Sequence, residues 1–349
     1  MEFTDSYDVS GKNAVVTGGG SGINLAFVEL LLSRGCSVLV GDLALNAKAE
    51  AVAKEYPYPA PTEEAGQRRR TRQSLSFHKT DGTSWKQLSS LWSRALEIFD
   101  GQVDIVVPGA GIYEPPTSSF WRPPPPSSSG QAYASSSSSS DTPADAELGA
   151  YATMSINLIH PIRMAQLAIG HWTTNTTSSG GSGGSGGGKG KGNLLFVSSL
   201  AGHIAGIGTP LYYSSKAGLH NFVRSIAAGG HMKDKLGIRV LCIAPGIART
   251  PIWEQVHTKS QLPESTHVLS GELVAQKMLD MLVDTAQYGR GEIIEYCEVG
   301  TAEQPRQSSR EVPSTALYPA DPIAGLAGVQ AQDENILRML ESEGLKVPL

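Results

Sequence analysis

Tyr212 and Lys216, in "PLYYSSKAG", stand four residues apart. On a helix that spacing puts both side chains on one face and beside each other. A phenol with an ordinary pKa near ~10 becomes a usable base when a neighbouring ammonium stabilises the phenolate. The pair is suited to exchanging a proton with an alcohol or carbonyl oxygen. A tyrosine and lysine at this spacing mean little alone, because a chain of this length supplies roughly half a match by chance. A core tyrosine and a surface lysine explain each residue separately, so the surrounding sequence has to carry the assignment.

The stretch "TGGGSGIN", Thr17 to Asn24, follows the apolar run "NAVVT" and precedes "LAFVELLLSRG", a helix that Gly35 can terminate. Strand, glycine-rich turn and helix in that order are what a dinucleotide-binding turn requires. Gly18 and Gly22 permit the tight turn and the close approach of a pyrophosphate. The helix N-terminus and its free backbone N–H groups, at Ser21 and Ile23, stabilise the phosphate charge. Asn24 stands where the last glycine of the pattern is expected. It lies after the closest part of the turn, and its short side chain can cap a nearby backbone N–H, so the turn is expected to keep its nucleotide. Asp42 ends the second strand, 20 residues after Gly22. A carboxylate there accepts hydrogen bonds from the adenosine ribose hydroxyls and repels the additional phosphate of NADP, with no cation nearby to offset it. The cofactor expected is therefore NAD, in preference to NADP. Asp81 and Gly82, just past the third strand, are placed to meet the adenine edge, although helix capping explains Asp81 almost as well.

Seven short apolar runs read as strands buried on both faces: 13–17, 37–41, 75–79, 103–107, 193–198, 238–244 and 292–297. Helical periodicity fills the intervals. In "SWKQLSSLWSRALEIF", apolar residues from Trp85 to Phe99 recur at three- and four-residue spacing, and Thr83 or Ser84 can cap the start. Strand and helix in alternation, with a glycine-rich turn after the first strand, predict an α/β doubly wound parallel sheet, a Rossmann fold of seven strands.

Three segments depart from this alternation. Residues 57–74, 115–146 and 173–192 have the compositions of flexible loops, rich in Pro, Ser or Gly. They are read as insertions into one catalytic domain spanning 1–300, because the sheet closes only if the chain on both sides of each belongs to it. Residues 301–349 are read as an extension ending in a helix. Strand-to-helix connections lie at the carboxyl edge of such a sheet, where ligands bind, so 115–146 is expected to overhang the site. The other two precede strands and are expected at the far edge.

With these motifs in order, the chain resembles the classical short-chain dehydrogenase/reductase family from about residue 10 to about residue 297. That family places a serine thirteen residues before its tyrosine, which selects Ser199 over Ser198 and Tyr212 over Tyr213. It has an asparagine in the preceding long helix, matched by Asn157 in "MSINLIHP". Its Pro-Gly turn after the sixth strand is matched by Pro245, Gly246, Ile247 and Thr250 in "APGIARTP". The resemblance implies that Tyr212 exchanges the proton, Ser199 binds the same substrate oxygen, Lys216 lowers the tyrosine pKa and holds the nicotinamide ribose, and Asn157 orders a water. It implies a homodimer or homotetramer. The family's Asn-Asn-Ala-Gly appears here as "PGAG", so two asparagine side chains are lost while Ala110 and Gly111 leave room for the cofactor. These departures, with "IYEPP" and "FWRPP", resemble a fungal branch that includes hydroxyaverantin dehydrogenase and relatives of 15-hydroxyprostaglandin dehydrogenase. That implies a bulky, apolar or aromatic secondary alcohol or its ketone, a place in secondary metabolism, and Trp121 and Trp253 as pocket residues. The competing reading is a catalytically silent NAD(H) sensor or scaffold, to which the low-complexity segments would contribute interaction tails.

Bulk properties agree with a small-molecule partner. The chain has 349 residues, 40% of them hydrophobic, enough for a sizeable core. A net charge of −5 offers no basic surface for nucleic acid phosphates. Cys36, Cys242 and Cys297 have no metal-ligand spacing and read as reduced thiols. No apolar stretch has the length of a signal peptide or a membrane span, so a soluble, cytoplasmic protein is expected.

Overall fold

The central strands are short and apolar, and alternate residues of one strand enter different cores. Val15 and Leu39 join Leu88, Leu91, Trp92, Met164 and Val223 on one face of the sheet. Ala14, Val16, Val38 and Val40 join Phe27, Leu31, Met278 and Leu282 on the other. A period of two along a strand with both faces apolar requires helices on both sides.

The computed structural model describes residues 6–59, 73–116, 118–122, 151–174, 192–254, 268–300, 305–313 and 326–349. In chain order the elements are β1 (Asn13–Thr17), α1 (Gly22–Ser33), β2 (Ser37–Asp42), α2 (Ala47–Glu55), β3 (Leu75–Lys79), α3 (Trp85–Ile98) and β4 (Ile105–Pro108). There follow α4 (Ala152–Met154), a π-helical turn (Ser155–Ile159), α5 (His160–Thr174), β5 (Gly192–Val197), α6 (Pro210–Ala227), α7 (His231–Leu236) and β6 (Ile238–Pro245). The chain continues through α8 (Gly271–Val283), β7 (Arg290–Gly300), β8 (Pro305–Glu311) and α9 (Leu326–Ser342).

The strand order is β3-β2-β1-β4-β5-β6-β7-β8. Strands β1 to β7 pair in parallel. The order reverses between β1 and β4, and at such a point two neighbouring strands send their connections to opposite faces and open a crevice at their carboxyl ends.

Two expectations need correction. The sheet has eight strands, because β8 pairs antiparallel with β7. Its sequence, "PRQSSRE", has no apolar residue and gave no strand signal; main-chain bonds to β7 form it, and an antiparallel edge tolerates polar side chains. The extension after residue 300 thus adds a strand before its helix. The second correction is β3, expected to be buried on both faces: it is the other edge strand, and Phe77 is exposed.

Gly35, at φ +85°, ends α1 as expected, and Ser84 rather than Thr83 caps α3 by accepting the N–H of Gln87. Most of the three insertions lies outside the described residues. Their flanks obey the edge rule: Ser74 and Gly192 lead into the amino ends of β3 and β5, whereas Pro115 follows the carboxyl end of β4. Cys36 and Cys242 are buried, and all three cysteines are free. Among the described residues no helix is long and apolar enough to cross a membrane, and no group of side chains could hold a metal ion.

Candidate active site

The carboxyl ends of six strands converge on one cavity of about 500 Å³. β1 delivers Gly18, Ser21, Gly22 and Ile23; β2 delivers Asp42; β3 delivers Asp81 and Gly82; β4 delivers Ala110 and Gly111. β5 delivers Ser199, α6 presents Tyr212 and Lys216, and the turn after β6 supplies Pro245, Gly246, Ile247 and Thr250. Every expected cofactor contact lines this cavity. Asn157 sits just behind its wall.

The glycine-rich end fits a dinucleotide. Gly18 and Gly22 adopt φ of +71° and +59°, a region that disfavours side chains. A Cβ on Gly18 would lie 2.6 Å from the Cα of Ala110, so this turn and the turn after β4 are in contact. The α1 N-cap, Ser21, makes no side-chain hydrogen bond, which leaves the first-turn N–H groups to a ligand's phosphates. Asp42 is held by its own neighbourhood: Oδ2 accepts the N–H of Gly20 at 2.9 Å and Oδ1 that of Leu43 at 2.7 Å. Burial raises its carboxyl pKa, and those backbone N–H groups pull it the other way. Asp81 Oδ1 accepts both the N–H and the hydroxyl of Thr83, so it braces its own turn as well as facing the cavity.

At the other end, Ser199 begins a short 3-10 turn and accepts the N–H of Ala201 at 3.1 Å. Burial pushes the Tyr212 phenol up, and a hydrogen bond with Ser199 opposes that shift. Lys216 lies with its ammonium 6.0 Å from the centre of the Tyr212 ring and donates to Val197 O at 3.2 Å. Burial lowers its pKa to about 8. In this geometry burial outweighs the hydrogen bond with Ser199, and the lysine ammonium is bonded to the end of β5.

Asn157 occupies the π-helical turn, and such turns are frequent at functional sites. Its side chain is fully engaged: Oδ1 accepts the N–H of Ile112 and Nδ2 donates to Ile112 O, both at 2.9 Å, with a further bond from Nδ2 to Ser215 Oγ. The asparagine thus fixes the strand-like residue that continues the cavity floor.

Trp253 lines the cavity. Trp121 does not; it is 56% exposed, and its indole N–H donates to Ile207 O at 2.7 Å, tying two loops together outside the cavity. Sequence reasoning missed two residues. Tyr113 places its ring 4.8 Å from that of Tyr212 and 5.4 Å from that of Trp253, making an aromatic wall. Glu114 is buried, accepting the N–H groups of Leu211 and Tyr212 through Oε2 and of Phe120 through Oε1. A carboxylate capping the start of α6 from 98 residues away leaves no local signature; the only hint was an acidic residue inside the otherwise apolar "IYEPP".

The profile of the short chain dehydrogenase family matches residues 12–261. The chain is 25% identical over 257 residues to an L-fucose dehydrogenase of Bos taurus, covering 74% of this chain and 73% of that one. It is 27% identical over 257 residues to the NAD(+) 15-hydroxyprostaglandin dehydrogenase of Rattus norvegicus, covering 73% and 74%. In structure it is similar to the NADPH-dependent 3-quinuclidinone reductase of Rhodotorula rubra, with a TM-score of 0.57, 19% identity, and coverage of 83% and 91%. With the cavity and its converging residues, the profile match establishes that this chain belongs to the short chain dehydrogenase family and is an oxidoreductase of CH–OH groups with NAD(P).

Proposed function

We propose that the protein interconverts a secondary alcohol and a ketone on a bulky apolar or aromatic substrate, with NAD as the cofactor. The observation that carries this reading is the union, in one cavity, of Asp42 at one end and the hydrogen-bonded Ser199 and Tyr212 beside Lys216 at the other. When bound, the nicotinamide supplies hydride transfer, which no side chain can perform. Tyr212 gives or takes the proton at its phenol oxygen, and Ser199 holds the substrate oxygen beside it. Lys216, close to its own pKa near neutrality, supplies positive charge where the phenolate forms. Asn157 keeps Ile112 and the cavity floor in register.

Tyr113, Trp253, Leu200, Ile204 and Ile252 support the substrate class, since they surround the space beside Tyr212 with apolar and aromatic surface. Asp42 supports NAD: a carboxylate at the ribose repels an additional phosphate. A silent sensor would need none of the proton-handling groups that converge here.

The test is a screen of secondary alcohols and ketones with NAD, NADP and their reduced forms, read by nicotinamide absorbance. Turnover of flat or bulky apolar substrates with NAD is expected. Asp42→Ala narrows the coenzyme preference by about tenfold or more. Equal use of NADP by the unaltered protein, or turnover confined to small polar alcohols, overturns the corresponding part of the reading.

A further inference from the structure

Of the three positions that depart from the family's motifs, Asn24, Pro108 and Gly109, two touch each other in the structure: Asn24, in place of glycine, and Gly109, in place of asparagine. Asn24 Nδ2 donates to Gly109 O at 2.8 Å. Thr17 Oγ1 accepts the N–H of Gly109 at 3.1 Å. Side chains from β1 and α1 therefore hold both polar backbone groups of the residue that starts the turn beneath the nicotinamide end of the cavity.

Volume makes the relation reciprocal. A Cβ at position 109 would lie 2.5 to 2.7 Å from the Nδ2, Oδ1 and Cγ of Asn24, well inside van der Waals contact. The backbone itself does not call for glycine there, since Gly109 is not among the residues with positive φ, whereas Gly18 and Gly22 are. What excludes a side chain at 109 is the amide of Asn24. That amide is buried, with Asn24 7% exposed, and its Oδ1 has no hydrogen-bond partner among the described residues. The bond from Nδ2 to Gly109 O is thus what the described residues offer to hold the amide in place.

We propose that Asn24 is a positioning residue for cofactor binding and forms one unit with Gly109, its side chain bracing from α1 the turn that an asparagine at 109 would otherwise brace from within. The last glycine of such a turn ordinarily serves close helix–strand packing. Here the asparagine fills that contact and converts it into a strap across the switch point, from α1 to the end of β4. Its bearing on NAD rests on the functional reading above, but the pairing itself does not.

A double-mutant cycle tests it, with Asn24→Gly, Gly109→Ala and the combination compared with the unaltered chain. Two quantities are read: NADH affinity by fluorescence titration, and amide hydrogen exchange at residues 109–111 without nucleotide. Gly109→Ala alone is expected to weaken NADH binding about tenfold and to accelerate exchange in the turn. In the Asn24→Gly background the same change is expected to cost no more than about twofold. Asn24→Gly alone accelerates exchange at 109–111 by removing the donor to Gly109 O. If Gly109→Ala fails to fold alone, folding of the double variant is the same non-additivity in another form. Additive penalties, or tighter NADH binding and unchanged exchange in Asn24→Gly, overturn the proposal. Failure of the unaltered protein to bind NADH would instead count against the nucleotide reading, and the exchange cycle would still decide the pairing.

Discussion

Among the cations buried in the described residues, two are treated in opposite ways. Arg239, at the start of β6, is 2% exposed, and Lys216, on α6, is 6% exposed. Burial lowers both pKa values, to about 10 for the arginine and about 8 for the lysine. The arginine's guanidinium donates to Met281 O, Leu282 O, Asp284 O, Tyr288 O and Asn193 Oδ1. Three of these acceptors lie at the C-terminal end of α8, where orphan carbonyls and the helix dipole both favour a positive charge. Among the described residues the lysine makes one hydrogen bond, to Val197 O, and it lines the cavity with the rest of its three-donor capacity. Desolvation alone does not mark a functional group. A buried charge whose bonding capacity is filled holds the fold, and one left with capacity toward a cavity is a candidate for chemistry.

The largest effect should come from the unsaturated side of this comparison. On the proposed mechanism, Tyr212→Phe lowers kcat by about 10²- to 10⁴-fold while NADH affinity and the urea midpoint stay close to those of the parent. Steady-state kinetics with fluorescence titration would show it, and a loss confined to KM would break the assignment. Arg239→Met comes next and acts on the other quantity. Stranding several α8 and loop carbonyls costs about 3 kcal/mol or more of folding stability, read by urea denaturation, with turnover per folded molecule preserved. A stable Arg239→Met protein with impaired catalysis would reverse the roles drawn here.

The third effect is a pH dependence. The folded pKa of Lys216, about 8, lies below that of an unfolded lysine, ~10.4, so the folded chain binds fewer protons between those values. The burial penalty is fully present below about 8 and is relieved as pH rises through that window. Lys216→Met should therefore unfold at higher urea than the parent near pH 7, by about 1 kcal/mol after the lost Val197 hydrogen bond, and the advantage should disappear above about pH 10. An advantage that is constant with pH would mean that packing, not charge, explains it. The smallest effect sharpens the register: Tyr213, whose ring lies 6.2 Å from that of Tyr212, should tolerate Tyr213→Phe with no more than about a twofold change in kcat.

Much of this was legible in the sequence. Local rules sufficed for the seven apolar runs, the turn from Gly18 to Gly22, the cap at Gly35 and the acidic end of β2, because strand period, positive φ and capping act over a few residues. The interval from Tyr212 to Lys216 was readable for the same reason, since a helix fixes it, whereas Ser199 was chosen only through the resemblance to the family. β8 was not, since a polar edge strand takes its order from the neighbour it pairs with. Trp121 was misjudged as a pocket residue because composition shows that an aromatic residue will pack, not against what.

The sequence by itself determined the alternation that makes a parallel sheet, the end of that sheet where ligands bind, and the residue types able to move a proton. Only the tertiary structure decided that Glu114 caps the start of α6, that Arg239 is saturated while Lys216 is not, and that Asn24 and Gly109 are one contact rather than two defects. The hydrogen bonds of Glu114 to α6, of Arg239 to α8 and of Asn24 to Gly109 join residues 42 to 98 positions apart. Such contacts form only where packed strands and helices bring distant segments within about 3 Å, and no local pattern in the chain encodes that distance.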